Sequence, residues 1–320
     1  NWANIEDSVQ GQLGTAPDLL SLRANKPANQ SIRFFLDYCS LRQCVYDFTV
    51  PRVLQAIAAI GITVVELGAD WQEAEALLRR LFCVLESFAT VKAKGRLLVV
   101  GPALQGGAKV EELLRAATSR ERCGEVMDSR HRATCRWADE ETRIRGFIEG
   151  SVGYVKLDGQ VLSAIVSGCM ERALPQMEAE GRQDEAADMV YGLAEMLMEA
   201  EEFGAALEQA KLGLRLRQAK EHGDAEGAVA VAKHLVQVGE CMDKAAVGVT
   251  KQKIAMYEEA KAMYDREYGE GHLSTARCLV GIGGRYNTNS GGQQYEKALE
   301  LGERALGIVE KVHGKGAVES

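Results

Sequence analysis

The chain has 320 residues, a formal net charge of −8 at pH 7 and a hydrophobic fraction of 46%. At about 100–200 residues per domain, this length predicts two domains. The acidic balance argues against a protein that coats nucleic acid or anionic membranes, and no apolar run reaches the roughly 20 residues that a membrane-spanning helix needs.

The eight cysteines are scattered along the chain, and none of them forms a CxxC pair. In a chain of this length we expect them to be small buried side chains in a reducing compartment rather than a disulfide framework. No signal peptide is visible, which predicts a cytoplasmic protein. Because the first residue is not methionine, the sequence leaves room for a targeting segment that has been removed.

Predicted strands and helices alternate along the first half of the chain. Residues 1–31 are polar and turn-rich and form an irregular lead-in, whereas 32–39 has the apolar and aromatic content of a strand. A helix begins at Val50-Pro51 and ends at Gly61, where a helix-terminating glycine belongs. Further elements follow in the order strand 62–67, helix 73–92, strand 96–101 and helix 108–118.

This alternation predicts an α/β domain in which helices cover a parallel, flavodoxin-like sheet. The carboxyl ends of its strands would meet at one edge, which would bring Asp37, Asp70 and the loop before Glu86 together. We predict that the domain covers residues 32–174 and that Leu174-Pro175 marks its boundary, since proline disfavours a helix at the preceding residue.

The segment 115–145 mixes arginines with acidic residues. A basic groove for nucleic acid is one interpretation, but the mixed signs favour a solvated loop and a helix laced with ion pairs. Cys123, His131 and Cys135 lack a fourth ligand and the spacing of a zinc ribbon or finger, so we predict no metal site there.

From about residue 176 to 320 the chain is helical and repetitive. Gly223, Gly269 and Gly314 each follow a long amphipathic segment, and they lie 46 and 45 residues apart. Helix pairs with such a period cannot bury their apolar faces alone and must stack. The second half is therefore predicted to be an all-α solenoid of about three repeats.

Small and large residues recur within each period, as in Leu193-Ala194, Val231-Ala232 and Leu279-Val280, followed by Tyr257 and Ala260 or Tyr295 and Ala298. This pattern resembles tetratricopeptide repeats, in the longer-period form of kinesin light chains, over roughly residues 180–320. It departs from that family through extra residues near 240–248 and 287–293 and through missing inner-face asparagines.

The resemblance implies that the first helix of each repeat lines a concave surface that binds a protein or peptide. The residues that would face inward are Tyr191, Glu195, Lys233, Gln237, Arg277 and Arg285. Their mixed charge predicts a polar ligand. A short array could instead pack against its own N-terminal domain.

Residues 32–173 are similar to a Toll/interleukin-receptor-like (TIR-like) domain, of the kind fused to kinesin-light-chain-like repeats in algal and protist proteins. The similarity is carried by Leu36-Asp37-Tyr38-Cys39-Ser40-Leu41-Arg42-Gln43, Ile60-Gly61-Ile62-Thr63-Val64-Val65-Glu66-Leu67, Trp71 and Arg80-Leu81-Phe82-Cys83-Val84-Leu85-Glu86. The last segment matches the Trp/Phe-Cys-x-x-Glu motif of those domains. The opening strand of the family is not recognisable in residues 1–30.

In TIR domains that cleave NAD, the glutamate of this motif is catalytic, and the resemblance places it at Glu86. Asp37, Arg42 and Trp71 would then position the dinucleotide. A carboxylate near the ribose would stabilise the charge that develops as nicotinamide leaves. The simpler interpretation is that Glu86 forms an ion pair beside its own helix, near Arg79 or Arg80.

Two functions are compatible with these features. The one we favour is a protein–protein adaptor or scaffold without a cofactor, whose repeats bind a partner and whose TIR-like domain is not catalytic. The alternative is an NAD glycohydrolase that uses Glu86 and is regulated by the repeats. Either domain could also mediate oligomerisation.

Overall fold

The computed structural model describes residues 49–66, 77–100, 107–119, 121–219, 224–288 and 292–314. The strand predicted at 32–39 and the residues Asp37, Arg42, Asp70 and Trp71 lie outside these ranges. The described protein is mostly helical, with a small parallel sheet near its N-terminal end followed by helix pairs. None of the helices in these ranges is long and apolar enough to cross a membrane.

The first elements are helix α1 (Val50–Ile60), strand β1 (Ile62–Glu66), helix α2 (Leu81–Lys92) and strand β2 (Arg96–Val100). Proline in the first turn of α1 and the left-handed Gly61, at φ +73°, confirm the predicted helix limits. β1 and β2 pair in parallel, with Val65 opposite Val99, which confirms two of the predicted strands.

The helix predicted at 73–92 begins later than expected. A 3-10 turn at Leu77–Arg79 precedes α2, and Arg80 between them has an extended backbone. Thr134 explains the interruption, because its amide donates to the Arg79 carbonyl at 2.9 Å and its carbonyl accepts from the Leu81 amide at 3.0 Å. The Arg79 carbonyl and the Leu81 amide, which bond to Thr134, are therefore not available for the hydrogen bonds of a continuous helix.

The next helices are α3 (Gly107–Ala117), the short α4 (Cys123–Val126) and α5 (Ala138–Ser151). Arg145 on α5 donates from Nε to Glu141 at 2.9 Å, as expected for an ion-paired helix. Its guanidinium also reaches the carbonyls of Arg130 at 3.0 Å and Ala133 at 2.7 Å. One half-buried arginine therefore holds the loop that precedes its own helix.

The sequence predicts a boundary at Leu174-Pro175. In the structure, helix α6 (Tyr154–Ala179) continues through Pro175. Met170 before the proline and Met177 after it are 2% and 1% exposed, so the helix is anchored in the core on either side of Pro175, which is itself exposed. Tertiary packing thus outweighs the hydrogen bond that proline removes. One hydrophobic core extends from α1 across α6 into the first helix pairs, and the division of the chain into two domains stays a prediction.

Six helices follow: α7 (Gln183–Glu199), α8 (Phe203–Gln218), α9 (Ala225–Lys244), α10 (Thr250–Tyr268), α11 (Leu273–Thr288) and α12 (Gly292–His313). They pack as the pairs α7–α8, α9–α10 and α11–α12, and each pair also contacts the next. Gly269 and Gly314 follow α10 and α12 with φ of +84° and +88°, as predicted for terminating glycines. This arrangement is that of stacked helical repeats.

Tyr257 on α10 joins the second pair to the third. Its ring lies between Gly239 on α9 and Gly281 on α11, where a Cβ atom would stand 2.8 Å and 2.5 Å from ring atoms. Its hydroxyl donates to Asp243 at 3.1 Å. The two glycines therefore make room for the Tyr257 ring between the second and third helix pairs.

Tyr295 on α12 matches Tyr257 in the sequence pattern, yet it is 57% exposed. Tyr257 is covered by the first helix of the following pair, and no helix follows α12 among the described residues. The sequence pattern therefore identifies a tyrosine that can be buried. Whether the tyrosine is buried depends on a following helix pair that covers it.

Candidate functional site on the first helices of the repeats

We call the surface formed by α7, α9 and α11 the first-helix face, since these are the first helices of the three pairs. Tyr191, Glu195, Lys233 and Gln237 are brought together on it by direct contacts. Arg277 joins them through Glu240, which lies one turn beyond Gln237 on α9. Arg285 is placed elsewhere.

Tyr191 lies beneath this surface, with 7% of the residue exposed. The ammonium of Lys233 stands 4.0 Å from the centre of its ring, a cation–π contact between α9 and α7. Burial, and then the Glu195 carboxylate, raise the pKa of the Tyr191 hydroxyl. The phenol therefore stays protonated and can donate to Glu195, which fixes that exposed carboxylate in place.

Gln237 is 3% exposed and also supports the face from below. Its Nε2 donates to the Tyr191 carbonyl at 2.9 Å. This hydrogen bond identifies which end of the amide is nitrogen. The other end, Oε1, is buried and has no hydrogen-bond partner.

His234, beside Lys233, is a buried packing residue. Its ring meets that of Tyr191 edge-on, with 5.2 Å between centroids. Burial, then the charges of Arg217 and Lys233, lower its pKa to about 3. The imidazole is therefore neutral at physiological pH and contributes packing rather than charge.

Arg277 forms a two-pronged ion pair with Glu240, at 2.8 Å from Nε and 2.7 Å from Nη2. This bidentate geometry ties α11 to α9 on the first-helix face. Sequence reasoning missed Glu240, although its spacing from Lys233 and Gln237 places all three on one side of α9.

Arg285 belongs to a separate cluster between the second and third helix pairs. It donates to Asp243, which also accepts from Tyr257 and lies 3.4 Å from the Lys253 ammonium. Asp243 and Lys253 are 14% and 10% exposed at the side chain. Arg285 is thus placed to hold α11 against α9, and the structure does not bring it to the other predicted residues.

A cavity of about 200 Å³ lies in the first-helix face, between α7, α9 and the chain after α3. Gly192 allows this chain to approach, because a Cβ atom there would stand 2.8 Å from Thr118 Cβ and overlap the Thr118 carbonyl oxygen. The polar residues that line the cavity include Thr118, Glu195, Glu199, Gln237 and Glu240. Sequence reasoning missed Thr118 and Glu199, since only the tertiary fold brings α3 to α7.

Three of the residues that line this cavity are glutamates. Across the ranges that the structure describes, no group of three or more His, Cys, Asp or Glu side chains is arranged to hold a metal ion. Carboxylate oxygens also accept hydrogen bonds from the N–H groups of organic donors.

Glu86, the residue that the TIR-like resemblance singles out, lies in the middle of α2 and is half-buried. Its carbonyl accepts from the Thr90 hydroxyl at 3.0 Å. Arg79 donates to the carbonyl of Glu125 at 2.6 Å, and the ion pair expected between Glu86 and Arg79 or Arg80 stays a prediction. The predicted NAD-positioning residues Asp37, Arg42 and Trp71 lie outside the described ranges, so this site stays a prediction.

Comparison with known proteins adds little to this geometry. No family model matches the chain, and no curated protein matches it. Among solved structures, BtubC (BKLC) from P. vanneervenii is similar to it, with a TM-score of 0.38 and 16% sequence identity. The alignment covers 84% of this chain and 94% of that one. At this score the likeness is distant, and the function is inferred from the helix pairs of the chain itself.

Proposed function

We propose that the helical repeats bind a protein or peptide partner on the first-helix face and that the protein acts as an adaptor or scaffold. The cavity in that face, bordered by exposed charged groups, is the observation that carries the proposal. Stacked helix pairs present such a surface by their geometry, and proteins use it to hold extended or helical segments.

The charged groups around the cavity support recognition rather than simple packing. Lys233 and Glu195 are both exposed, and the Arg277 side chain is 54% exposed even with its ion pair to Glu240. Each is held by a neighbour, which limits the side-chain entropy lost when a partner binds. Charges of both signs suit a polar segment that carries complementary groups.

The N-terminal half has a supporting role in this proposal, as a TIR-like domain without catalysis. The parallel pair β1–β2, connected through α2, is compatible with such a domain. Besides the packing of α6 on α7, this half contacts the repeats at α3, where Glu111 accepts from Arg182 at 2.7 Å, and just after α3, where Thr118 meets Gly192. In an adaptor, these contacts orient one half relative to the other.

Blocking the first-helix face should abolish partner binding. Peptides selected from a display library on the wild-type protein should bind at least about tenfold more weakly to Glu195→Trp, because the indole fills the approach to the cavity. Fluorescence polarisation measures the affinity. Glu208→Trp is the control, since Glu208 is an exposed glutamate on α8 whose side chain pairs with Lys211, away from the cavity.

Unchanged circular dichroism would establish that both variants fold. If the selected peptides bound Glu195→Trp as tightly as wild type, or lost affinity equally for Glu208→Trp, the first-helix face would not be the binding surface.

The non-catalytic role of Glu86 has its own test. We expect no nicotinamide release from NAD by the concentrated wild-type protein, and the same result for Glu86→Gln, when both are followed by chromatography. Release by wild type that disappears in the variant would show an NAD glycohydrolase and would overturn the adaptor proposal for this half.

A further inference from the structure

Helix α12 exposes an apolar stripe at the end of the described array. Tyr295, Leu299 and Leu306 are 57%, 63% and 42% exposed, and their spacing of four and seven residues puts them on one side of the helix. Val280 on α11, the other helix of this pair, is 61% exposed as well. We call these four residues the end face. Exposed apolar side chains that share one side of an element are typical of surfaces that bind a partner.

The preceding helix pair has a buried counterpart of this face. Leu235-Val236 on α9 and Leu279-Val280 on α11 hold equivalent places in their helices. Val236 is only 2% exposed and belongs to the hydrophobic cluster that the second and third pairs share. A surface that helices cover on the second pair is therefore exposed on the third.

Opposite charges meet where the third pair covers the second. The cavity of about 350 Å³ at this junction has a lining that includes Glu258 and Asp265 of α10 and Lys297 and Arg304 of α12. Lys297 donates to the Tyr286 hydroxyl at 2.8 Å. This hydrogen bond, and further the Glu258 carboxylate, raise the pKa of the Lys297 ammonium. The covering pair thus brings basic groups to the acidic groups of the pair beneath it.

Helix α12 repeats those acidic groups beside its own exposed stripe. Glu303 lies eleven residues before the glycine that ends α12, as Glu258 does before the glycine that ends α10. Glu310 and Asp265 each lie four residues before the same glycines. Glu296 continues the row, so three glutamates follow one another at seven-residue intervals, about 10 Å apart along the helix. Each lies three or four residues from a leucine of the stripe, the spacing of neighbours on a helix surface.

A second copy of this chain offers no surface that matches the end face. Two copies stacked through it about a two-fold axis would bring their Glu303 carboxylates together, since this residue lies between Leu299 and Leu306. At the other end of the array, α6 packs against α7, so the start of the first pair is already covered. The end face therefore suits a different protein whose charges complement the glutamate row.

We propose that the end face binds an amphipathic helix of a partner protein, whose apolar stripe packs on Leu299 and Leu306. Lysine or arginine residues on one flank of that helix pair with Glu296, Glu303 and Glu310. Helix recognition of this kind uses apolar anchors at helical spacing, and the flanking charges determine which helix is accepted. The inference does not depend on the proposed function, because none of these residues lines the cavity in the first-helix face.

Two designed peptides test the inference on the full chain. Both carry leucines at positions i, i+4, i+7 and i+11 of a helix. One has lysines at seven-residue spacing on a flank of this stripe, and the other has glutamates at the same positions. In fluorescence polarisation, the lysine peptide should bind at least about tenfold more tightly than the glutamate peptide.

Removal of one apolar anchor should weaken this binding. Leu299→Gln should lower the affinity for the lysine peptide about tenfold, because less apolar surface is buried in the complex. Leu299 is exposed in the free protein, so we expect the variant to fold, and circular dichroism checks this. Val155→Gln is the matched control, at a valine on α6 that is 77% exposed, and should bind as wild type does.

Charge reversal supplies the second arm. Glu303→Lys should weaken binding of the lysine peptide about tenfold and strengthen binding of the glutamate peptide. Glu171→Lys, at an exposed glutamate on α6, changes the net charge by the same amount. It should leave the affinities for both peptides unchanged, which separates pairing at the end face from attraction to an acidic protein.

Equal binding of the two peptides, no binding of either, or full affinity of the lysine peptide for Leu299→Gln would each overturn the inference. Sedimentation velocity of the protein alone tests the second copy: a dimer that Leu299→Gln dissociates would identify another copy as the occupant and would also overturn it. Glu195→Trp, which blocks the first-helix face, should bind the lysine peptide as wild type does, so the two surfaces are tested independently.

Discussion

Replacing Tyr257 with alanine is expected to lower the free energy of unfolding by about 4 kcal/mol. The ring is 2% exposed and fills the space between Gly239 and Gly281. Alanine would leave a cavity between two helix pairs, and these two glycines have no side chains with which to fill it. Urea unfolding followed by circular dichroism measures the loss.

Tyr257→Phe separates the ring from its hydroxyl. It should cost only about 1 kcal/mol, because Asp243 keeps its contacts with Arg285 and Lys253 after the hydroxyl is removed. Tyr268→Ala, at a tyrosine that is 52% exposed at the end of α10, should cost less than the Tyr257 change. A Tyr257→Ala protein as stable as Tyr257→Phe would contradict the packing of this ring between the repeats.

Gly192→Ala should destabilise the protein by about 3 kcal/mol, at the upper end of what overpacking usually costs. The added methyl group would overlap the carbonyl oxygen of Thr118 and stand 3.1 Å from its carbonyl carbon. Those atoms belong to the backbone, which relaxes less readily than the end of a flexible side chain. Thermal and urea unfolding measure the effect.

The same substitution has a second expected consequence, since Thr118 and Gly192 both line the cavity. Displacing Thr118 should alter the NMR signals of the methyl groups of Met196 and Met198, which line the same cavity. Gly204→Ala, on α8, is the control, because no atom lies within 4 Å of a Cβ there and alanine favours a helix by up to about 1 kcal/mol. If Gly192→Ala were as stable as Gly204→Ala, the close contact between Thr118 and Gly192 would be contradicted.

The amino-acid sequence predicted the fold well where the structural signals, such as proline, glycine and short apolar runs, act over one or two turns. Pro51 and Gly61 place the ends of α1, and short apolar runs place β1 and β2. Gly269 and Gly314 end the helices that they follow. Proline fixes its own φ, and glycine readily adopts the positive φ that ends a helix, so these signals require no knowledge of the rest of the molecule.

The candidate site was only partly predictable, because local signals place residues on one side of a helix but do not determine contacts between helices. Helical spacing places Lys233 and Gln237 on one side of α9, and the repeat period relates that side to Tyr191 and Glu195 on α7. The same periodicity assigned Arg285 to the surface, whereas Asp243 and Lys253 draw it into an ion-paired cluster between helix pairs. Which neighbour a long charged side chain reaches depends on how the helices pack, and the spacing alone does not contain that information.

By itself, then, the sequence determined the helix pairs of the second half, the two parallel strands and part of the first-helix face. Only the tertiary structure decided that Thr134 interrupts the chain before α2, that α6 continues through Pro175, and that Thr118 meets Gly192 to close one side of a cavity. Helices and strands arise from torsional preferences and from hydrophobic periodicity, both of which depend on residues that are close together in the chain. Contacts between distant segments arise from the close packing of the whole interior, where each approach depends on the shapes of all its neighbours.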